Sequence, residues 1–337
     1  MYKISLITGD GIGPELSESA ISVLDAINDK FDLKFEVTKL SAGDKALEET
    51  GKALPDETVD VIKKSDACMK APVGESAADV IVVLRRMLDL YANIRPAKSY
   101  PYMPALRDDI DMVIVRENTE DLYTGQEFRV NGAAVALRTI SDKASERIAK
   151  YAFETARQRN GKKKVTCVHK KNVMRVTDSL FADACKRVSD NYSDVAFEEM
   201  YVDACAMNLI RQPHEFDVIV TTNLFGDILS DESSQVVGGL GMAPAANIGD
   251  NFALFEPVHG AAFDIAGKGI ANPSSFLLSI KMMCDWLGNK NNDSKCIEVG
   301  QKLESIIFDL VKTGVKTKDI GGNMSTVEFT KQITYKI

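Results

Sequence analysis

The chain predicts an α/β fold with a largely parallel sheet. Two observations carry that class. Strand-like and helix-like apolar patterns alternate along nearly all of its 337 residues, and alternation of this kind builds parallel sheets covered by helices. A glycine-rich turn, "TGDGIGPEL" (Thr8–Leu16), also joins the first strand pattern directly to the first helix pattern.

The elements follow in order. "KISLIT" reads as a buried strand, and Gly9 and Gly11 supply the tight turn after it. Pro14 stands where a Rossmann fingerprint needs its third glycine, so that signature is missing; the fixed φ of proline instead suits the first turn of a helix. An amphipathic helix is expected over Glu15–Asn28, then a strand in "LKFEVTKL". "DACMKAP" (Asp66–Pro72) precedes a helix over Ala78–Leu90. "DMVIVRE" and "AAVALRTI" read as strands, Ala144–Arg159 as a long helix, and "KKVTCVHK" as a strand. A helix over Thr177–Asp190 and the strand "FDVIVTT" continue the alternation, and helices over Pro273–Leu287 and Cys296–Lys312 dominate the end. The proline-rich "RPAKSYPYMP" (Arg95–Pro104) and the glycine-rich stretch near Gly238 are two chain crossings. They predict a domain of residues 1–97 and 238–337 around an inserted domain of 98–237.

Composition narrows the function classes. Net charge is −8, from 41 basic and 49 acidic residues, which argues against nucleic-acid binding. No apolar run approaches the roughly 18 residues that span a membrane. The six cysteines form no Cys-x-x-Cys pair and read as buried free thiols. A cytoplasmic location is expected. Any anionic substrate must be met by a local cluster of arginines.

Such a cluster is visible. Arg85 and Arg95 flank "MLDLYANI", and Arg116 closes a buried strand with Tyr123 in the loop beyond. Arginine presents a planar fork suited to carboxylates, so three near one crevice could hold a substrate with more than one. In "GDILSDE", Asp227 and Asp231 lie one helical turn apart. Like charges at that spacing repel, and either a solvated face or a hard divalent cation such as Mg²⁺ or Mn²⁺ relieves them. Asp203 starts another helix pattern. Lys170, flanked by His169 and Lys171 at a strand end, is a candidate proton acceptor. The glycines and alanines of "LFEPVHGAAFDIAGKGIANP" (Leu254–Pro273) let a ligand approach the backbone, where Asp264 could accept hydrogen bonds from ribose hydroxyls.

Taken together, "GDGIGPE", "YANIRPAK", "VIVRENTEDLYTG", "GDILSDE" and "FEPVHGAAFDIAGKGIANP" resemble the β-decarboxylating dehydrogenases, the isocitrate/isopropylmalate dehydrogenase family, in order along the whole chain. The resemblance implies a two-domain isocitrate/isopropylmalate dehydrogenase-like fold distinct from the Rossmann fold, and a homodimer with shared active sites or a tetramer of such dimers. It implies that Arg85, Arg95 and Arg116 clamp the malate carboxylates and that Asp203, Asp227 and Asp231 bind Mg²⁺ or Mn²⁺. Lys170 and Asp203 are expected to enter the partner's site. Lys170 would take the hydroxyl proton and Tyr123 would protonate the enol, with Asn172 and Val173 of "KKNV" also at the substrate. Glu256, His259, Gly260, Ala262, Asp264, Ile265 and Asn272 match the NAD-binding stretch.

Members of this family differ in the helix before Arg85. Here Asp79 and Ile81 stand where isocitrate enzymes carry serine and asparagine, and Val82 where one homoisocitrate type carries arginine. "GESAADVIVVLR" is similar to the archaeal-type isopropylmalate branch, although Ala78 replaces a glutamate usual in bacterial members. The expected reaction is NAD-dependent oxidative decarboxylation of 3-isopropylmalate. Isocitrate, homoisocitrate or malate/tartrate are the alternatives, with a non-catalytic regulatory subunit as a remote one.

Overall fold

In the computed structural model, residues 1–100 and 102–337 are described, and twelve strands occur among them. They are β1 (Tyr2–Ile7), β2 (Phe35–Leu40), β3 (Ala67–Lys70), β4 (Ala92–Lys98), β5 (Asp111–Glu117) and β6 (Glu127–Val130). The later ones are β7 (Ala133–Ala136), β8 (Lys164–His169), β9 (Ala196–Tyr201), β10 (Val218–Thr221), β11 (Pro244–Ile248) and β12 (Ala253–Pro257). Ten of these form one sheet in the order β2-β1-β3-β12-β11-β4-β5-β10-β8-β9.

The sheet is more mixed than expected. Two parallel blocks, β2-β1-β3-β12 and β5-β10-β8-β9, run in opposite directions, because β12–β11, β11–β4 and β4–β5 are all antiparallel. Helix–strand alternation cannot report this reversal. It arises where strands are joined without an intervening α-helix: β4 is followed directly by β5, and β11 by β12.

Helices cover the sheet: α1 (Gly13–Lys30), α2 (Asp44–Thr50), α3 (Asp56–Ile62), α4 (Ala77–Met87), α5 (Asp142–Arg159) and α6 (Thr177–Ser189). The remainder are α7 (Val202–Arg211), α8 (Asn223–Val236), α9 (Ser274–Asn291), α10 (Ser294–Lys312) and α11 (Thr326–Lys336). α9 is the most enclosed: Phe276, Leu277, Ile280, Met283 and Leu287 are all buried. Each such side chain contributes about 1.5–3 kcal/mol of apolar burial, which anchors β11 and β12 beneath it.

One reading is corrected. "AAVALRTI" is a strand only over Ala133–Ala136, where it forms an exposed hairpin with Glu127–Val130 apart from the main sheet. Its Arg138 leaves the strand pattern to pair with buried Asp121 and Asp178. Within the stretch Arg95–Pro104, β4 runs through to Lys98 with every residue paired to β5. Pro96 fits there because pairing to β11 stops at Ile94, so its missing N–H leaves no gap on that side. Pro101 of that stretch lies outside the described residues. All six cysteines are free and buried, as expected.

The glycine turn works by close approach. Gly9 and Gly11 have φ of +66° and +56°, and a Cβ at either would fall about 2 Å from the carbonyl oxygen of Pro72 or Ala261. The Asp10 N–H donates to Pro72 O, and that of Ile12 to Ala261 O. The first turn is thereby tied to the stretch that contains Gly260 and Asp264. The Asp10 carboxylate accepts from the N–H groups of Asp44, Lys45 and Gly74, and Asp44 accepts from Glu75 and Ser76. These two carboxylates sit at helix starts, where backbone donors lack partners, and they fix the approach to α4.

Candidate active site

The reversal of the sheet places polar residues side by side. Asn247 of β11 lies opposite Asn93 of β4, and Asn93 opposite Arg116 of β5. Residues two apart on a strand share a face, so Arg95 projects with Asn93. Arg85 arrives from the last turn of α4. The three arginines converge on one cleft of about 270 Å³, lined also by Lys70, Tyr123, Asp227, Glu256 and His259. Its other wall is apolar, with Ala77, Ala78, Ile81 and Val82 of α4.

All three guanidiniums are buried; Arg116 is 1% exposed. Burial, with Arg116 as a like-charged neighbour, pulls Arg95 down to about 10, which still leaves it charged at neutral pH. Each finds a carboxylate. Arg116 pairs with Asp227, Arg85 Nη2 lies 3.2 Å from Glu256 Oε1, and Arg95 Nη1 lies 3.4 Å from Asp231 Oδ1. The Tyr123 hydroxyl donates to Asp227 Oδ2 at 2.5 Å. Burial raises the Tyr123 phenol above its ordinary range and Asp227 adds to the shift, against the pull of Arg116. It therefore stays a proton donor at neutral pH.

Asp227 and Asp231 project from the same side of α8, one turn apart. Burial opposes ionisation of Asp227, but Arg116, Arg95 and the Tyr123 hydroxyl outweigh it and hold the carboxyl below its usual range. Asp231 moves the other way: burial and the Asp227 charge raise it against Arg95. Two hard oxygen donors whose proximity is itself unfavourable fit a divalent cation. Asp203 is not brought to them. It is largely exposed on α7 and pairs with Lys170 Nζ at 2.7 Å. Among the described residues of one chain, no three acidic, histidine or cysteine side chains converge on a metal-sized site. Lys170, Asn172 and Val173 likewise do not line the arginine cleft; Asn172 and Val173 lie exposed on the turn after β8.

The residues expected to meet the dinucleotide divide. His259, Gly260, Ala262, Ile265 and Asn272 line a second hollow of about 370 Å³, continuous with the arginine cleft through His259 and Gly260. A Cβ at Gly260 would meet nothing within 4 Å, so the backbone there is open to a ligand. Asn272 is buried and turned to the protein: it donates to Asp319 at 3.0 Å and accepts from the Ser274 N–H. Asp264 is exposed beside the hollow and outside its lining. Glu256 faces the arginine cleft, where it joins Lys70 (3.0 Å) to Arg85.

Several site residues went unread in sequence. Lys70 is the one charged side chain in the otherwise apolar β3, which was its signal. Asn93 stands two residues before Arg95, and Asn223 one turn before Asp227. Asn247, in an unremarkable "ANIGD", carried no signal at all.

The match to known proteins is extensive. Residues 3–335 fit the family model described as isocitrate/isopropylmalate dehydrogenase. The chain is 51% identical to the 3-isopropylmalate dehydrogenase of Saccharolobus solfataricus over 334 residues, 98% of each chain. It is 52% identical to that of Sulfurisphaera tokodaii over 338 residues, covering 100% of this chain and 99% of the relative. Among solved structures, isocitrate dehydrogenase from Methylococcus capsulatus superposes with a TM-score of 0.93 at 39% identity, covering 100% of this chain and 99% of the other. With its buried arginine cluster, its Tyr123–Asp227 pair and a fold shared from end to end, the chain belongs to the isocitrate/isopropylmalate dehydrogenase family.

Proposed function

We propose that this protein catalyses the NAD-dependent oxidative decarboxylation of 3-isopropylmalate to 2-oxoisocaproate and CO₂, a step of leucine biosynthesis. The observation that carries the choice of substrate is the two-sided cleft. Three buried arginines face an apolar helix wall in which Ile81 and Val82 lie near the Arg85 fork. A malate body with two carboxylates suits the arginines, and an isopropyl group suits the wall. The identity of about 50% to two 3-isopropylmalate dehydrogenases supports the same reading.

The residues have separable tasks. Arg85, Arg95 and Arg116 hold the carboxylates and fix the hydroxyl-bearing carbon. Asp227 and Asp231 of one subunit, with Asp203 of a second, would hold Mg²⁺ or Mn²⁺; the Asp203 side chain, paired with Lys170, is 68% exposed, which supports that reading. When bound, the cation would supply Lewis acidity at the substrate oxygens and the dinucleotide would supply the hydride acceptor. Lys170, entering with Asp203 from the second subunit, would take the hydroxyl proton during oxidation. Loss of CO₂ from the resulting β-keto acid leaves an enol, which Tyr123 protonates at carbon. The open backbone near Gly260 would receive the dinucleotide, with Asp264 accepting from the ribose hydroxyls and opposing a 2′-phosphate.

This assignment also implies a homodimer or a tetramer of dimers, and a cytoplasmic enzyme. Among the described residues no helix is long and apolar enough to cross a membrane. The domain of 1–97 and 238–337 would carry the cofactor, and that of 98–237 the dimer contact. Isocitrate is the second reading, favoured by the structural likeness to an isocitrate dehydrogenase. A panel of 3-isopropylmalate, isocitrate, homoisocitrate and D-malate, each with NAD⁺ or NADP⁺ and Mg²⁺, decides. The expected result is a kcat/KM for 3-isopropylmalate about 10²-fold above that for isocitrate, with NAD⁺ preferred. Faster turnover of isocitrate would refute the substrate assignment.

A further inference from the structure

The three arginines share a feature that their carboxylate contacts do not explain. Arg85 Nε donates to Asn247 Oδ1 at 2.9 Å, Arg95 Nε to Asn93 Oδ1 at 3.0 Å, and Arg116 Nε to Asn223 Oδ1 at 3.0 Å. Each guanidinium thus places its Nε against one asparagine. Guanidinium offers donors only, so each amide must turn its oxygen inward to the arginine. Asn93, Asn223 and Asn247 are completely buried.

Their NH₂ groups are held as well. Asn93 Nδ2 donates to Asn247 Oδ1 and Asn247 Nδ2 to Glu256 Oε1, at 2.9 and 2.7 Å; Asn223 Nδ2 donates to Glu120 O at 3.1 Å. Asn118, also buried, adds a third donor to Asn247 Oδ1. These bonds leave the amides little freedom to flip, and so they fix the plane of each fork.

We propose that Asn93, Asn223 and Asn247 are positioning residues that orient the three substrate arginines through neutral acceptors. The inference rests on the proposed binding of a dicarboxylic acid in this cleft. A carboxylate would orient a guanidinium equally well, but it would add a further negative charge to a cleft in which each arginine already faces a carboxylate. A neutral amide oxygen fixes the Nε edge without adding a negative charge to Glu256, Asp227 and Asp231, which already contact Nη groups of the three arginines; for Arg116 the same Asn223 oxygen also accepts from Nη2, at 2.6 Å. The arrangement meets two demands at once: buried donors stay satisfied, and the cleft keeps its affinity for a dianion.

The test compares Asn93→Ser, Asn93→Asp, Asn247→Ser and Asn247→Asp with wild type. Readouts are KM and kcat for 3-isopropylmalate, KM for NAD⁺, thermal midpoint, and calorimetric binding of D-malate with Mg²⁺. The serine variants should raise KM for the acid by about tenfold or more, the scale of a lost hydrogen bond to a charged group, while KM for NAD⁺ changes less than about threefold. The aspartate variants should bind the acid still more weakly, although they keep an acceptor on Nε. Folded serine variants with an unchanged acid KM would overturn the positioning role, and an aspartate variant that binds as wild type would overturn the neutral-acceptor reading. Calorimetry needs no turnover. A wild type that binds D-malate but oxidises no candidate acid therefore counts against the proposed reaction alone, and one that binds no dicarboxylate overturns both. Two positions are used so that one variant's failure to fold leaves the other decisive.

Discussion

The Tyr123 hydroxyl and the buried Arg116 guanidinium meet at one carboxylate, Asp227, and the Arg116 guanidinium also lies 5.0 Å from the centre of the Tyr123 ring. The tyrosine is thus held at both ends, by its ring against a cation and by its hydroxyl against an anion. Replacing it with phenylalanine keeps the ring contact and deletes the hydroxyl, with its proton and its bond to Asp227. Tyr123→Phe should lower kcat by about 10²-fold or more, within the usual span of acid–base contributions, with KM for the acid nearly unchanged. Steady-state kinetics at saturating cofactor measure both; an unaltered kcat would remove Tyr123 from the proton transfer.

Asp227 bears the heaviest load, since it answers Arg116, Arg95 and Tyr123 while standing one turn from Asp231. Asp227→Asn should reduce kcat/KM by about 10²-fold or more, given the several kcal/mol that a Lewis acid supplies. Chelation of the wild type should abolish turnover, and added Mg²⁺ or Mn²⁺ should restore it. Undiminished activity in excess chelator would sink the metal assignment.

Glu256 makes a prediction about acid stability. Burial pushes its carboxyl up, but Lys70 and Arg85 more than offset this and hold it down to about 2. A carboxyl depressed in the folded state stabilises the protein above its unfolded value, near 4.3, and that contribution fades as pH falls toward the folded value. Glu256→Gln leaves two buried cations short of a partner and should cost about 3 kcal/mol at pH 7. Urea unfolding at pH 7, 5 and 3 should show a constant gap from wild type between 7 and 5 and a narrower gap at 3. A gap that stays constant to pH 3 would show that Glu256 is not ionised against Lys70 and Arg85.

Val82 tests the substrate wall. It faces the cleft three residues before Arg85, on the same side of α4. Burying an isopropyl group against Ile81 and Val82 is worth about 1.5–3 kcal/mol, as for a buried valine. Val82→Arg should therefore lower kcat/KM for 3-isopropylmalate by about tenfold or more. It should lower that for isocitrate less, or raise it, because the new cation meets the extra carboxylate. Equal losses on both acids would mean that position 82 does not meet the C3 substituent.

Much of this was legible in the chain itself. Local patterns determine the longer helices and strands such as β1, β5, β8 and β10, because apolar periodicity and turn residues act over a few positions: Pro14 at the start of α1 and the apolar run of β5 needed no tertiary help. The charged side chains of the cleft were legible too, since arginines and aspartates at strand ends and on helix faces stand out from an apolar background. Pairing was not legible. That β4 runs antiparallel to both β5 and β11 depends on contacts between segments up to about 150 residues apart, and no local signal reports it. This pairing sets Asn247 beside Asn93 and Asn93 beside Arg116, and the packing of α8 on β5 brings Asn223 to Arg116, so that three ordinary asparagines become the acceptors of three arginines. The same holds for Lys70, Glu256 and Arg85, which come from three separate elements. A buried charge is tolerable only when its partners are already in place, and in this protein the tertiary fold alone supplies them.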